Sequence, residues 1–167
     1  RVKISSYTSH HPNSYMTKAK TTGNYVVSQL SKMEAVRAGY DEALMLDPEG
    51  FVTQGSGENL FLVRDGVLRT PPLQGVLAGI TRETVLRIAE ELGIPIEVSS
   101  FARDEIYIAD EAFFTGTAAE VTPIREVDGS VVGSGKPGEI TKKIQSSFFS
   151  IVNAEDEKRH SWLTFLK

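Results

Sequence analysis

The sequence predicts a single mixed α/β (α+β) domain, and three observations carry that reading. Apolar residues alternate between the two-residue period of strands and the period of helices along the same chain. Two Asp-Gly pairs, Asp65-Gly66 and Asp128-Gly129, each split an apolar run the way a hairpin turn does. At 167 residues, 40% of them hydrophobic, the chain has the length and the apolar content of one domain with a sizeable core.

The elements follow in order. Val2, Ile4 and Tyr7 predict an opening strand, followed by a loop with Pro12 and Asn13. From Asn24 the residues Val27, Leu30, Met33 (or Ala35) and Val36 recur at helical spacing up to Gly39, and predict a helix. "EALMLD" and "FVTQGS" read as strands joined by the tight turn "DPEG". "NLFLVRDGVLRT" reads as a hairpin and "TPPLQGVLAG" as a Pro/Gly loop. Thr81 is expected to cap the helix "TRETVLRIAEEL", with Val85, Ile88, Ala89 and Leu92 on one face and Gly93 as its stop. "IPIEVSS" and "IYIADEAFFTG" read as strands or strand-like pieces, and "VTPIREVDGSVVG" as a second hairpin. "PGEITKKIQSSFFSIV" predicts a last helix with Ile140, Ile144, Phe148 and Ile151 inward. After a charged stretch from Asn153, the apolar "SWLTFLK" is expected to dock.

Composition narrows the function classes. A net charge of -4 gives no basic surface for nucleic acid or anionic lipid, so neither partner is expected. Without cysteine there is no disulfide and no thiolate metal site, which suits a reducing compartment, and a cytoplasmic location is expected. No apolar run approaches the ~20 residues of a membrane span. His10 and His11 are adjacent and His160 is far away in sequence, so no zinc site is expected. The chain opens on a strand pattern without an initiator Met or a signal peptide, and is expected to be a piece of a longer protein.

Several stretches have the residue types of a binding site, and each also has a plainer reading. "AGITRET" places Gly79 before a helix start, whose free N–H groups suit a phosphate; an ordinary capped helix is commoner. Glu58 in "GSGENLF" offers a carboxylate to a ligand nitrogen, or simply faces water. The small residues Thr115 to Ala119 leave backbone N–H groups open to an anion, or form a plain turn. In "TKAKTTGNY" either Lys18 or Lys20 could serve as an amine nucleophile, and solvation is the usual fate of both. In an extended segment the two would share a face, so spacing does not choose between them.

"AKTTGNY", "GSGENLF", "GITRETV" and "DEAFFTGTAAEVTPIREVDG" occur in this order across almost the whole chain. In order and spacing they resemble the branched-chain-amino-acid aminotransferases, class IV pyridoxal-phosphate enzymes of the D-amino-acid-aminotransferase-like fold (fold type IV). The resemblance implies that residues 1–167 are the C-terminal cofactor-binding domain, a pseudo-barrel of mixed strands with flanking helices, without the family's smaller N-terminal domain. It singles out Lys20 as the Schiff-base lysine and general base, and leaves Lys18 without a role. Tyr25 matches the tyrosine on the cofactor's phenolic oxygen, and Glu58 the partner of its pyridine nitrogen. Gly79, Ile80 and Thr81 match the helix start that holds the phosphate, with Gly116 and Thr117 in the next loop. The Thr117 and Ala118 amides match the site of the substrate α-carboxylate.

The implied reaction is transfer of the amino group of Leu, Ile or Val to 2-oxoglutarate, with amino acids and 2-oxo acids as the small-molecule partners and a homo-oligomer in the full-length enzyme. Two alternatives accompany it: a D-amino-acid transaminase or aminodeoxychorismate lyase on the same scaffold, and a cofactor-binding fragment without useful turnover. Thr8 and Ser9 stand where many relatives carry arginine, and Gln54 where many carry glutamate.

Overall fold

The computed structural model describes residues 1–165. The opening strand β1 (Val2–Thr8) runs parallel to β2 (Glu42–Leu46), and helix α1 (Val26–Arg37) makes the crossover between them. β3 (Val52–Gly55) returns antiparallel to β2, and β4 (Asn59–Arg64) is antiparallel to β3. β4 and β5 (Val67–Thr70) form a hairpin on Asp65-Gly66, both at positive φ (49° and 77°), the paired left-handed geometry this turn needs. Helix α2 (Ile80–Glu91) then crosses to β6 (Ile96–Val98), parallel to β5. A short helix α3 (Asp104–Tyr107) precedes β7 (Glu111–Gly116), which is antiparallel to β4 and to β8 (Glu120–Pro123). β9 (Glu126–Val127) and β10 (Ser130–Val131) form the second Asp-Gly hairpin beside β1, and α4 (Glu139–Val152) closes the layer of long helices. Antiparallel and parallel pairs therefore coexist in one mixed sheet, as the α/β reading expects.

β4 is the spine. Leu60 and Leu62 point into one core cluster, Phe61 and Val63 into another, so both of its faces are buried. Around Leu60 and Leu62 gather Val2 and Ile4 of β1, Leu44 of β2, Val52 of β3, Phe114 of β7 and Val127 of β9. Side chains from six strands meeting in one cluster mean that the sheet curls round it, which gives the barrel-like core implied by the resemblance. On the other face α2 and α4 pack through Val85, Ile88, Ile144, Phe148 and Ile151 against the stacked rings of Phe61 and Phe113. For α4 the inward residues are those expected, with Ile140 half-buried.

The structure settles the facing of α1, which periodicity leaves open, and corrects three local expectations. Of the apolar residues of α1, Leu30, Met33 and Val36 are exposed, while Ala35, the alternative to Met33, is buried together with Ser31. Small side chains let the helix backbone lie close on β1 and β2, which turns the large apolar residues outward. Thr81 is not the cap of α2; Gly79 is, with no side-chain bond, while Thr81 is buried one residue inside the helix. Leu92 lies past the helix end and is exposed, although Gly93 (φ 67°) is the stop. "IYIADEAFFTG" is a strand only from Glu111: Ile106 is pulled into the core from α3, whose first turn carries Asp104 and Glu105 at its positive end. In the tail, Trp162 and Leu163 pack on the second cluster and Phe165 is exposed. Leu166 and Lys167 lie outside the described residues.

Candidate active site

The cleft of interest lies where the loop after β1, the start of α1 and the β3–β4 turn converge. After β1 the chain keeps one more sheet bond, from the Ser9 amide to the Leu46 carbonyl (2.8 Å). It then runs through successive turns to Thr21. His10 stacks on Tyr15, ring centroids 4.0 Å apart. The next turn is closed by the Ala19 amide on the Met16 carbonyl (2.9 Å). The Asn24 side-chain amide donates to the carbonyls of Ala19 (2.9 Å) and Met16 (3.3 Å), and so clamps the segment that carries Lys20. Because the segment is turned and not extended, the two lysines part: Lys20 lines the cleft and Lys18 does not. Both side chains reach solvent. A 3-10 turn, Thr22–Tyr25, leads directly into α1 and sets Tyr25, half-buried, on the same cleft.

Glu58 enters from the opposite wall. The turn between β3 and β4 is closed by the Gly55 amide on the Glu58 carbonyl (2.8 Å), and the Glu58 carboxylate accepts from the Gly57 amide (3.0 Å). A Cβ on Gly55 would stand 2.7 Å from Glu58 Oε2 and 3.0 Å from the Phe114 ring, so only glycine leaves the carboxylate its seat. Burial, and after it the nearby Glu42 carboxylate, push Glu58 above the ordinary carboxylate value; the Gly57 amide and Lys32 pull it back.

Next to Glu58, Asn59 donates to the Leu77 carbonyl (2.9 Å), while Gln54 accepts from the Leu77 amide (3.0 Å). These two side chains stitch the loop before α2 to the cleft. Gly79 packs so closely on Asn59 that a Cβ there would collide with Asn59 Oδ1. The N-terminus of α2 therefore begins beside the cleft wall, with no side chain capping its first amides. Ile80 is exposed and opens, with Gly79 and Arg82, on a neighbouring depression. Gly116, at the end of β7, lies against Glu58: a Cβ there would be 3.6 Å from Glu58 Cγ. The following Thr117 and Ala118 are exposed in the β7–β8 turn and do not line the cleft.

Thus Lys20, Tyr25 and Glu58 surround one cleft, Gly79 and Gly116 abut its walls, and Ile80, Thr81, Thr117 and Ala118 lie outside its lining. Ser9, His10, Tyr15, Asn24, Gln54 and Asn59 also line it, and sequence reasoning gave them no role in the site. Asn24 and Asn59 had a signal, since each stands inside a motif, next to Tyr25 and Glu58. His10 and Tyr15 had none, because their pairing depends on how the loop turns. Among the described residues no group of three or more His, Cys, Asp or Glu is placed to hold a metal ion, and no helix is long and apolar enough to cross a membrane.

An amine, a phenol and a carboxylate thus stand around one cleft, with an uncapped helix start alongside. The family model for amino-transferase class IV matches residues 1–127, and the chain belongs to that family. It is 52% identical over its whole length to a branched-chain-amino-acid aminotransferase of Pseudomonas aeruginosa, of which it covers 54%. Its fold superimposes on the branched-chain amino acid aminotransferase of Thermobaculum terrenum in its PLP-form, with a TM-score of 0.95 at 41% identity, covering 98% of this chain and 54% of that one. The branched-chain aminotransferase of Thermoproteus uzoniensis with norvaline gives a TM-score of 0.95 at 52% identity, covering 98% of this chain and 55% of that one. The chain spans about half the length of the relatives it matches.

Proposed function

We propose that residues 1–167 form the pyridoxal-phosphate-binding domain of a branched-chain-amino-acid aminotransferase, which moves the amino group of L-leucine, L-isoleucine or L-valine to 2-oxoglutarate. The observation that carries this is the convergence of Lys20, Tyr25 and Glu58 on one cleft. The similarity to aminotransferases over the full chain supports it.

The residues present fit the cofactor. A pyridine nitrogen needs a carboxylate, a ring oxygen a phenol, an aldehyde an amine, and a phosphate a set of free amides. Glu58, Tyr25, Lys20 and the uncapped start of α2 supply these. The collision of any Cβ at Gly79 with Asn59 explains why a glycine stands where the α2 backbone meets the cleft wall.

When bound, pyridoxal phosphate supplies an electron-withdrawing ring conjugated to the substrate Cα. Glu58, as an anion, holds a proton on the ring nitrogen. Tyr25 orients the ring through its Oη. The Ile80 and Thr81 amides, behind the Gly79 cap and with Gly116 and Thr117 from the adjoining turn, would hold the phosphate. The Thr117 and Ala118 amides, in the exposed β7–β8 turn beside the cleft, would receive the substrate carboxylate. Lys20 Nζ would hold the cofactor through its aldehyde carbon and, once free, would take a proton from the substrate Cα and deliver it to that same cofactor carbon. Residues from a second copy of the full-length protein complete the side-chain pocket, which makes the enzyme a homo-oligomer.

Incubation of the full-length protein and pyridoxal phosphate with L-leucine, L-isoleucine or L-valine and 2-oxoglutarate should yield L-glutamate and the matching 2-oxo acid. No turnover with any of the three, or turnover of D-alanine above that of L-leucine, would overturn the substrate assignment.

A further inference from the structure

Behind the Glu58 turn lies a second carboxylate. Glu42, on β2, is mostly buried, and both of its oxygens are engaged. Oε1 accepts from the Ser56 hydroxyl (2.6 Å) and from the Ala43 amide (2.7 Å). Oε2 meets Lys32 Nζ at 2.5 Å. Lys32 reaches across from α1 and also donates to the Asp41 carbonyl (2.6 Å). Ser56 lines the cleft and stands two residues before Glu58 in the same turn. An unbroken series of contacts thus runs from the solvent edge of α1, through Lys32, Glu42 and Ser56, to the turn that presents Glu58.

We infer that Lys32 is a positioning residue for Glu58: by neutralising Glu42 and fixing Ser56, it lets a second, neighbouring carboxylate face the cleft as an anion. Glu42 and Glu58 are tied to one turn through Ser56, and two partly buried carboxylates so placed repel, a repulsion that protonating one of them would relieve. A cation on Glu42 removes the repulsion at its source. The electrostatics agree in sign, since Glu42 raises Glu58 and Lys32 lowers it. The other titratable groups that share the cleft with Glu58 are Lys20, Tyr25, His10 and Tyr15, so Lys32 acts from outside the cleft lining. The consequence for the reaction rests on the aminotransferase reading, which needs Glu58 ionised; the effect on Glu58 itself does not.

The test is a carbon-13 NMR titration of the Glu58 carboxyl in the cofactor-free chain, the signal assigned by its loss in Glu58→Gln. Lys32→Met should raise the Glu58 midpoint. Lys32→Arg, which keeps the charge, should leave it near that of the parent. Lys32→Met combined with Glu42→Gln should bring it back down. Lys32 is partly exposed, so Lys32→Gln provides a second neutral variant should the methionine variant fold poorly. An unchanged midpoint in a natively folded neutral variant, or a double variant that stays raised, would overturn the positioning role. Neither result depends on cofactor binding. Failure to bind pyridoxal phosphate would count against the aminotransferase reading and leave the titration standing.

Discussion

Glu58 shows the tension between stability and chemistry at a single residue. Its folded-state value is raised by burial first and by Glu42 second. Between the unfolded and the raised folded value the native chain binds more protons than the unfolded chain. This group's contribution to stability is therefore complete below the unfolded value and is lost as pH rises through the folded one. Glu58→Gln removes the buried charge and keeps an acceptor for the Gly57 amide. The cofactor-free variant should melt above the parent at about pH 7, and the gap should close as pH falls below the carboxylate range; calorimetry across that range checks it. Asn24 is a second residue with a local task. Asn24→Ala deletes two bonds to the lysine loop and should cost ~1–2 kcal/mol in urea denaturation. It should also weaken pyridoxal-phosphate binding more than Ser28→Ala at the next turn of the same wall. Residue types at Lys20, Tyr25 and Glu58 were legible in their motifs. The separation of Lys20 from Lys18 was not legible from spacing, because it arises from the turn at Met16–Ala19, which its own backbone bond closes and the Asn24 side chain clamps.

Among the elements, the hairpins were the most legible. Asp-Gly is one of the few pairs that adopts two successive positive φ values cheaply, so the signal is local and complete. Helix ends that depend on distant partners were not. The start of α4 was visible in Pro137-Gly138, but its cap comes from β7: Glu111 accepts from the amides of Ile140 (3.1 Å) and Thr141 (2.7 Å). The same carboxylate fills the space where a Cβ at Gly138 would stand. Glu111→Ala should therefore destabilise the chain by ~1–3 kcal/mol in urea denaturation, since two helix-end amides lose their acceptor together. Glu111→Gln should cost less. The inward face of α1 was not legible for a related reason. Periodicity shows that a helix has an apolar stripe, but not which surface covers it, and here the sheet takes Ser31 and Ala35.

Over the whole molecule, that outward stripe becomes a property of the surface. Val26, Leu30, Met33 and Val36 follow one another along α1, each exposed by more than a third, with Tyr7 of β1 nearby. Contiguous apolar surface of this kind drives association. The chain made alone should self-associate in light scattering, and Leu30→Glu with Met33→Glu should shift it toward monomer; a monomeric parent at high concentration would contradict this. The proposed site joins the same larger frame. Its lysine comes from the loop after β1, its carboxylate from the β3–β4 turn and its helix start from α2, so only the folded sheet brings them together. Reduction with borohydride in the presence of pyridoxal phosphate, followed by peptide mapping, reads that assembly directly. The label should fall on Lys20, and Lys20→Ala should abolish it while Lys18→Ala leaves it intact. A label on Lys18, or none at all, would contradict the site.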